Sequence, residues 1–138
     1  MGELNNIKDI VTLVSRMQNL CEGFDETNKT ALISIKLKIL LELTTKEKVT
    51  PSQLKLRVGL AKSNLALTCN SMIKEGLIEK IKDNFDNRSI FYSITKHGKK
   101  VLEQNLTRMQ KNFSGELAYK NNMKQINNTV KELLELVN

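Results

Sequence analysis

Between Lys62 and Lys74 the chain sets Ser63, Asn64, Leu67 and Asn70 at spacings that share one face of a helix, with Ala66 beside them. One hydroxyl, two carboxamides and an aliphatic group cannot do nucleophilic or acid–base work alone. They can read bases: asparagine makes two hydrogen bonds to an adenine edge in the major groove, and short side chains let a helix approach another surface closely. Lys62 and Lys74 stand at the two ends of the face, where ammonium groups can hold phosphates. The same residues would also make a neutral solvated face, and helix-turn-helix shapes occur in purely structural proteins.

Other chemistry is sparse. His97 is the single histidine and reads as a surface residue in the first turn of a helix. No second histidine and no Cys or carboxylate cluster stands at ligand spacing, so neither a metal nor a cofactor is expected. No phosphate-binding glycine loop or Ser-His-Asp arrangement can be assembled, so no enzyme is expected. Cys21 and Cys69 fall on apolar helix stripes and read as buried structural thiols. A reactive thiol needs exposure and nearby positive charge, and the neighbours of Cys21 are Glu22 and Asp25.

The elements that must position the face are well marked. Thr50 can cap a helix, Pro51 suits its first position, and Gln53 can close a capping box. Val49 and Leu54 have the spacing of a hydrophobic staple. Gly59 permits a tight turn into a second helix over 62–74, whose inward residues are Leu65, Cys69, Met72 and Ile73, and Gly76 suits its C-terminal stop. The segments 77–83 and 88–95 alternate apolar and polar residues around the turn-rich Asn84-Phe85-Asp86-Asn87, which predicts a β-hairpin. A helix-turn-helix followed by a basic hairpin is a winged helix, with Lys82, Asn87 and Arg88 at the wing tip, within reach of phosphates or a minor groove.

Around this unit the pattern is helical. Residues 4–24 carry a stripe of Ile7, Ile10, Val11, Val14, Met17, Cys21 and Phe24. Gly23–Asn28 is a polar break, with Thr27 or Asn28 as the next cap. A helix over 29–44 is apolar on several sides and reads as the floor beneath the recognition unit. Thr95 caps a helix over 96–112, with Val101, Leu102, Leu106, Met109 and Phe113 inward, and Ser114-Gly115 interrupts it. From 116 to 137, Tyr119, Met123, Ile126, Val130, Leu133 and Val137 form a heptad-like seam. Such a face needs a partner; the first helix can supply part of it and a second subunit the rest.

Charge follows the same division. The 138 residues carry 22 basic and 15 acidic side chains, a net of +7. Between Lys46 and Lys100 stand 12 basic and 5 acidic residues, while the rest of the chain carries 10 of each. All the excess positive charge therefore lies in the winged-helix segment, which favours a polyanion. No basic amphipathic helix with a bulky aromatic face accompanies it, so no membrane partner is expected. The start MGELNNIKDIV lacks a signal-peptide pattern and no run reaches membrane-spanning length, so a cytoplasmic protein is expected.

The stretch IKEGLIEKIKDNFDNRSIFYSITKHGKKVLE resembles the wing region of the MarR family of bacterial transcriptional regulators. Asp86-Asn87-Arg88 matches that family's acidic-x-Arg wing signature, and Ile94-Thr95-Lys96-His97-Gly98 is similar to its Leu-Thr-x-x-Gly helix start. Phe85 departs from the family's usual charged or proline-containing turn. With the helical order on either side, the resemblance extends over nearly the whole chain. It implies that Arg88 enters a minor groove and that Asp86 steadies it. It implies release of DNA by a small anionic aromatic ligand, for which Arg16, Met17, Phe24, Met109 and Phe113 are candidate lining residues. Some members also sense oxidants through a cysteine in the N-terminal helical region, where Cys21 is the counterpart.

The expected protein is mainly α with a small β-hairpin, a single MarR-like domain over 1–138. A winged helix-turn-helix DNA-binding lobe at 29–100 is flanked by dimerisation helices at 1–28 and 101–138. The expected DNA contacts are Lys62, Ser63, Asn64, Leu67, Asn70, Lys74, Lys82, Asp86 and Arg88. The expected homodimer interface is Ile7, Ile10, Val14, Met123, Ile126, Val130, Leu133 and Val137. A dimeric repressor on double-stranded DNA would meet an inverted-repeat operator, its recognition helices in major grooves about one turn apart. Two other readings stay open: a winged-helix protein-protein interaction module, and a thiol-based redox-sensing regulator using Cys21.

Overall fold

The floor helix starts later than its apolar run predicts. In the computed structural model, which describes residues 2–22, 34–59, 62–83, 89–115 and 117–137, it spans Ile35–Thr45. Ser34 is extended, and its Oγ accepts a hydrogen bond from the Leu37 N–H at 3.2 Å. A serine that satisfies an orphan amide fixes the helix start at that point. The alternative caps Thr27 and Asn28 lie outside the described residues.

The remaining elements follow in order. Helix α1 is Gly2–Glu22, α2 is the floor helix, α3 is Pro51–Val58 and α4 is Lys62–Lys74. Strands β1 (Ile78–Lys82) and β2 (Ile90–Ile94) pair antiparallel, with Ile78 opposite Ile94 and Lys80 opposite Tyr92. Helices α5 (Lys96–Gly115) and α6 (Leu117–Val137) complete the chain. Helix α5 thus runs through Ser114 to Gly115 before the change of helix, a few residues past the expected end.

The chain divides into two compact units, 30–106 and the combination of 1–29 with 107–138. The first is built on α2, whose Leu37, Ile39, Leu40 and Leu43 are buried. Val49, Leu54, Val58, Leu65, Cys69, Met72, Leu77, Ile78, Tyr92 and Leu102 complete that core. The residue before the cap of α3 joins the sheet: Val49 exchanges both backbone hydrogen bonds with Tyr92, at 3.1 and 2.8 Å. The wing is therefore tied to the start of the helix-turn-helix by a backbone bridge, a pairing the residue pattern did not announce.

In the second unit α1 is exposed from Gly2 to Arg16. Helix α6 contains a kink at Asn122, where φ is −117° and ψ 15°. Asn122 Nδ2 donates to the Ala118 carbonyl at 2.9 Å, a local side-chain bond that competes with the helical ladder. Across the kink the Tyr119 hydroxyl reaches Asn127 Oδ1 at 3.2 Å. The heptad-like seam gave no sign of this break.

Candidate nucleic-acid interface

Helix α4 is positioned from both ends. The first helix of the pair, α3, begins with the predicted capping box: the Gln53 N–H donates to Thr50 Oγ1 at 3.2 Å, and the Thr50 N–H donates to Gln53 Oε1 at 3.1 Å. Val49 and Leu54, the staple pair, are both buried. Gly59 closes α3 at φ +76°, its N–H donating to the Lys55 carbonyl at 2.8 Å.

At the far end Gly76 also has φ +76°. Its N–H bonds the Ile73 carbonyl and the Leu77 N–H bonds the Met72 carbonyl, each at 3.0 Å, which is a Schellman stop. Thr95 then knots three elements together. Its backbone N–H donates to the Leu77 carbonyl at 3.1 Å, its Oγ1 lies 2.6 Å from the Gly76 carbonyl, and that same Oγ1 accepts the Gly98 N–H at 2.9 Å. Gly98 is packed so tightly that a Cβ would collide with the Leu77 carbonyl and come within 2.8 Å of the Ile94 side chain. The Thr-x-x-Gly motif thus fixes where α4 ends, where β2 ends and where α5 begins.

The inward face of α4 is Leu65, Cys69 and Met72, at 2 % exposure or less, and Ile73 is half-buried. Burial pushes the Cys69 thiol up to about 11, against a smaller opposing effect of its hydrogen bond with the Tyr92 hydroxyl. Tyr92 is likewise raised, mainly by burial. The pair joins α4 to strand β2, and a thiol so protonated is a poor nucleophile at neutral pH. The side chain of Cys21 lies outside the described part of the structure.

On the opposite face Asn64, Ala66, Leu67, Asn70 and Lys74 are exposed together, with Leu67 at 70 %. Lys62 and Ser63 stand in the first turn of α4, their side chains outside the described part. Lys82 is exposed at the end of β1. The hairpin closes beyond the strands with the Asp83 N–H on the Ser89 carbonyl at 3.0 Å. Asp86, Asn87 and Arg88 lie outside the described residues. The structure therefore brings Asn64, Leu67, Asn70 and Lys74 onto one surface, with Lys82 in the same compact unit.

A clamp at the end of α4 was not anticipated. Lys36 Nζ of α2 lies 2.6 Å from Glu75 Oε1, and Ser71 Oγ donates to the same oxygen at 3.3 Å. The hydrogen bond from Lys36 holds the Glu75 carboxyl below its ordinary value. The first carboxylate after α4 in the chain is thereby paired with a lysine. Lys36 and Glu75 are 39 residues apart, too far for any local pattern to expose the pairing.

The candidate ligand residues are dispersed in state. Arg16 is exposed, Met17 and Phe113 are half-buried, Met109 is buried, and Phe24 lies outside the described residues. The Phe113 ring packs edge-on against Tyr119 with centroids 5.1 Å apart. A cavity of about 240 Å³ is lined by Glu42, Thr45, Lys46, Val49, Gln53, Leu56 and Arg57, none of them among those five. Among the described residues no group of three or more His, Cys, Asp or Glu could hold a metal ion, and no helix is long and apolar enough to cross a membrane.

Residues 35–113 match the family model described as winged helix DNA-binding domain. The transcriptional regulator AdcR of Streptococcus pneumoniae serotype 2 (strain D39 / NCTC 7466) is 32% identical over 78 residues, 56% of this chain and 53% of that protein. The chain therefore spans about half the length of the curated relative it matches. Among solved structures, the multiple antibiotic resistance repressor MarR superposes with a TM-score of 0.66 at 18% identity, over 94% of this chain and 93% of that one. A mutant MarR from E. coli complexed with operator DNA gives 0.56 at 16% identity, over 96% of each chain. At these identities the likeness establishes the fold alone, a winged helix matching that of MarR structures.

Proposed function

The chain belongs to the winged helix DNA-binding domain family, and on that premise we propose that it is a sequence-specific transcriptional regulator of double-stranded DNA, acting as a homodimeric repressor. The observation that carries this reading is the outer face of α4. Asn64, Leu67, Asn70 and Lys74 are exposed side by side on a helix fixed at both ends, in the segment that holds all the excess positive charge. In this reading Ser63, Asn64, Leu67 and Asn70 enter the major groove, Lys62, Lys74 and Lys82 hold phosphates, and Arg88, steadied by Asp86, enters the minor groove.

The dimer is supported by what α1 and α6 leave uncovered. Ile7, Ile10 and Val14 are between 49 % and 61 % exposed, and Met123, Val130, Leu133 and Val137 between 38 % and 73 %. Apolar stripes of this kind mark interaction surfaces, and a two-fold dimer would present paired recognition helices to an inverted repeat. Release by a small anionic aromatic ligand rests on the family resemblance, with Arg16 as the charge-matching residue. A cytoplasmic location fits the whole reading.

The test is selection from a random duplex pool at several salt concentrations, with sequencing of the bound fraction. An enriched inverted repeat with half-sites about one turn apart is expected. Steep salt dependence without enrichment would leave an architectural DNA binder. Absence of binding at low salt would move the winged helix to the protein-interaction class.

A further inference from the structure

We infer that the recognition helix reads an A·T half-site, with Leu67 packed on a thymine methyl group and Asn64 and Asn70 on flanking adenines. The inference rests on the DNA-binding reading above and specifies the sequence it selects. Leu67 lies opposite the buried Leu65–Cys69–Met72 face, at the centre of the exposed arc. Asn64 stands three residues before it and Asn70 three residues after, so one carboxamide flanks the leucine on each side along the helix. Among the described residues no hydrogen bond engages either carboxamide. A single exposed leucine is ordinary on a protein surface; one centred between two asparagines on a basic lobe is a reading surface.

What the face lacks is as informative. From Lys62 to Lys74 there is no Arg, Asp, Glu or Gln. Guanine is read chiefly through bidentate Arg or Lys, and the cytosine amino group by a carboxylate. The two lysines are at the helix ends, about 18 Å apart along the axis at 1.5 Å per residue; Lys74 shares the face of Leu67 but stands two turns beyond it, so neither ammonium is level with the leucine. The adjacent carboxylate, Glu75, is held by Lys36 and Ser71. Ser63 can serve any base and adds no preference, so the groups of the arc that discriminate suit adenine N6 and N7, through asparagine, and the thymine methyl, through Leu67 and Ala66.

The experiment uses the full chain and the duplex enriched by selection. Each thymine of the half-site is replaced in turn by deoxyuridine, which removes only the C5 methyl. At one position wild type should lose about fourfold in affinity, the value of one buried methyl group. Leu67→Ala should bind the thymine and uracil duplexes equally, with an unchanged circular dichroism spectrum because the residue is exposed. Replacing adenine by 7-deazaadenine should likewise weaken wild type but not Asn64→Ala or Asn70→Ala at the matching position. A G·C-centred half-site, or equal affinity of wild type for every thymine and uracil pair, would overturn the inference and leave sequence-specific binding intact. No binding to any duplex would overturn both.

Discussion

The winged-helix lobe and the terminal helices obey the same helical periodicity and reach opposite states. In the lobe, residues 30–106, the apolar stripes of α2, α3 and α4 are covered: Ile39, Leu54, Cys69 and Met72 are fully buried. Among the described residues every buried apolar side chain except Met109 falls there. In α1 and α6 the stripes are as regular, yet Ile10 is 61 % exposed and Leu133 46 %. A hydrophobic period states that a face seeks cover; it does not state where the cover comes from. The lobe supplies its own through non-local pairing, such as the Val49–Tyr92 bridge, and the terminal helices do not.

The strongest way to break this contrast is a charge on the α6 seam. In the proposed dimer, Leu133→Asp would set one carboxylate per subunit into an apolar interface, where an unpaired charge costs several kcal/mol. The dimer constant should weaken by more than a hundredfold by sedimentation, and operator affinity should fall with it. The far-UV spectrum should stay that of a helical chain. A variant that sediments as wild type would remove α6 from the interface.

Truncation of one leucine in each region sharpens the comparison. Leu54→Ala opens a cavity in a closed core and should cost about 2–5 kcal/mol in denaturant unfolding, independent of protein concentration. Leu133→Ala should cost little in the isolated chain, and its effect should grow as dilution approaches the dimer constant. Equal, concentration-independent losses would mean that the α6 face is covered within one chain.

Gly98→Ala tests the Thr95 knot. The added methyl meets the backbone carbonyl of Leu77, which cannot step aside without moving the end of α4. Overpacking of this kind costs about 1–3 kcal/mol, and the recognition helix should be displaced along with the loss of stability. An unchanged melting temperature would show that the wing base is more accommodating than its packing.

How far the residues foretold this structure differs along the chain. The capping box, the turn at Gly59, the limits of α4 and the hairpin were legible because each depends on neighbours within a few residues. The late start of α2 was not, because Ser34 competes as a cap inside an apolar run. The kink at Asn122 was missed because an asparagine side chain can serve the ladder or interrupt it, and the seam is indifferent to which. The Lys36–Glu75 clamp and the Val49–Tyr92 bridge join residues about forty positions apart, and such pairs exist only once the fold does. Within the candidate interface, Asn64, Leu67, Asn70 and Lys74 were legible as one face because helical spacing alone defines it.

The smallest expected effect concerns the seal around Cys69. Its thiol titrates near 11 in the folded chain and near the ordinary 9.0 when unfolded. Between those values the unfolded chain has released a proton that the folded chain retains, so the unfolded state binds fewer protons and stability must fall as pH rises. This contribution is intact below pH 9 and lost progressively toward 11. At pH 10 the loss is about 1 kcal/mol, one unit above the unfolded value. Cys69→Ala removes the titrating group, so the stability advantage of wild type over the variant should shrink by about that amount from pH 8 to pH 10. The same seal predicts that a thiol reagent modifies Cys69 only as fast as the lobe opens. Reaction faster than opening, or a difference between the two proteins that does not change with pH, would mean that solvent reaches the floor of the recognition helix.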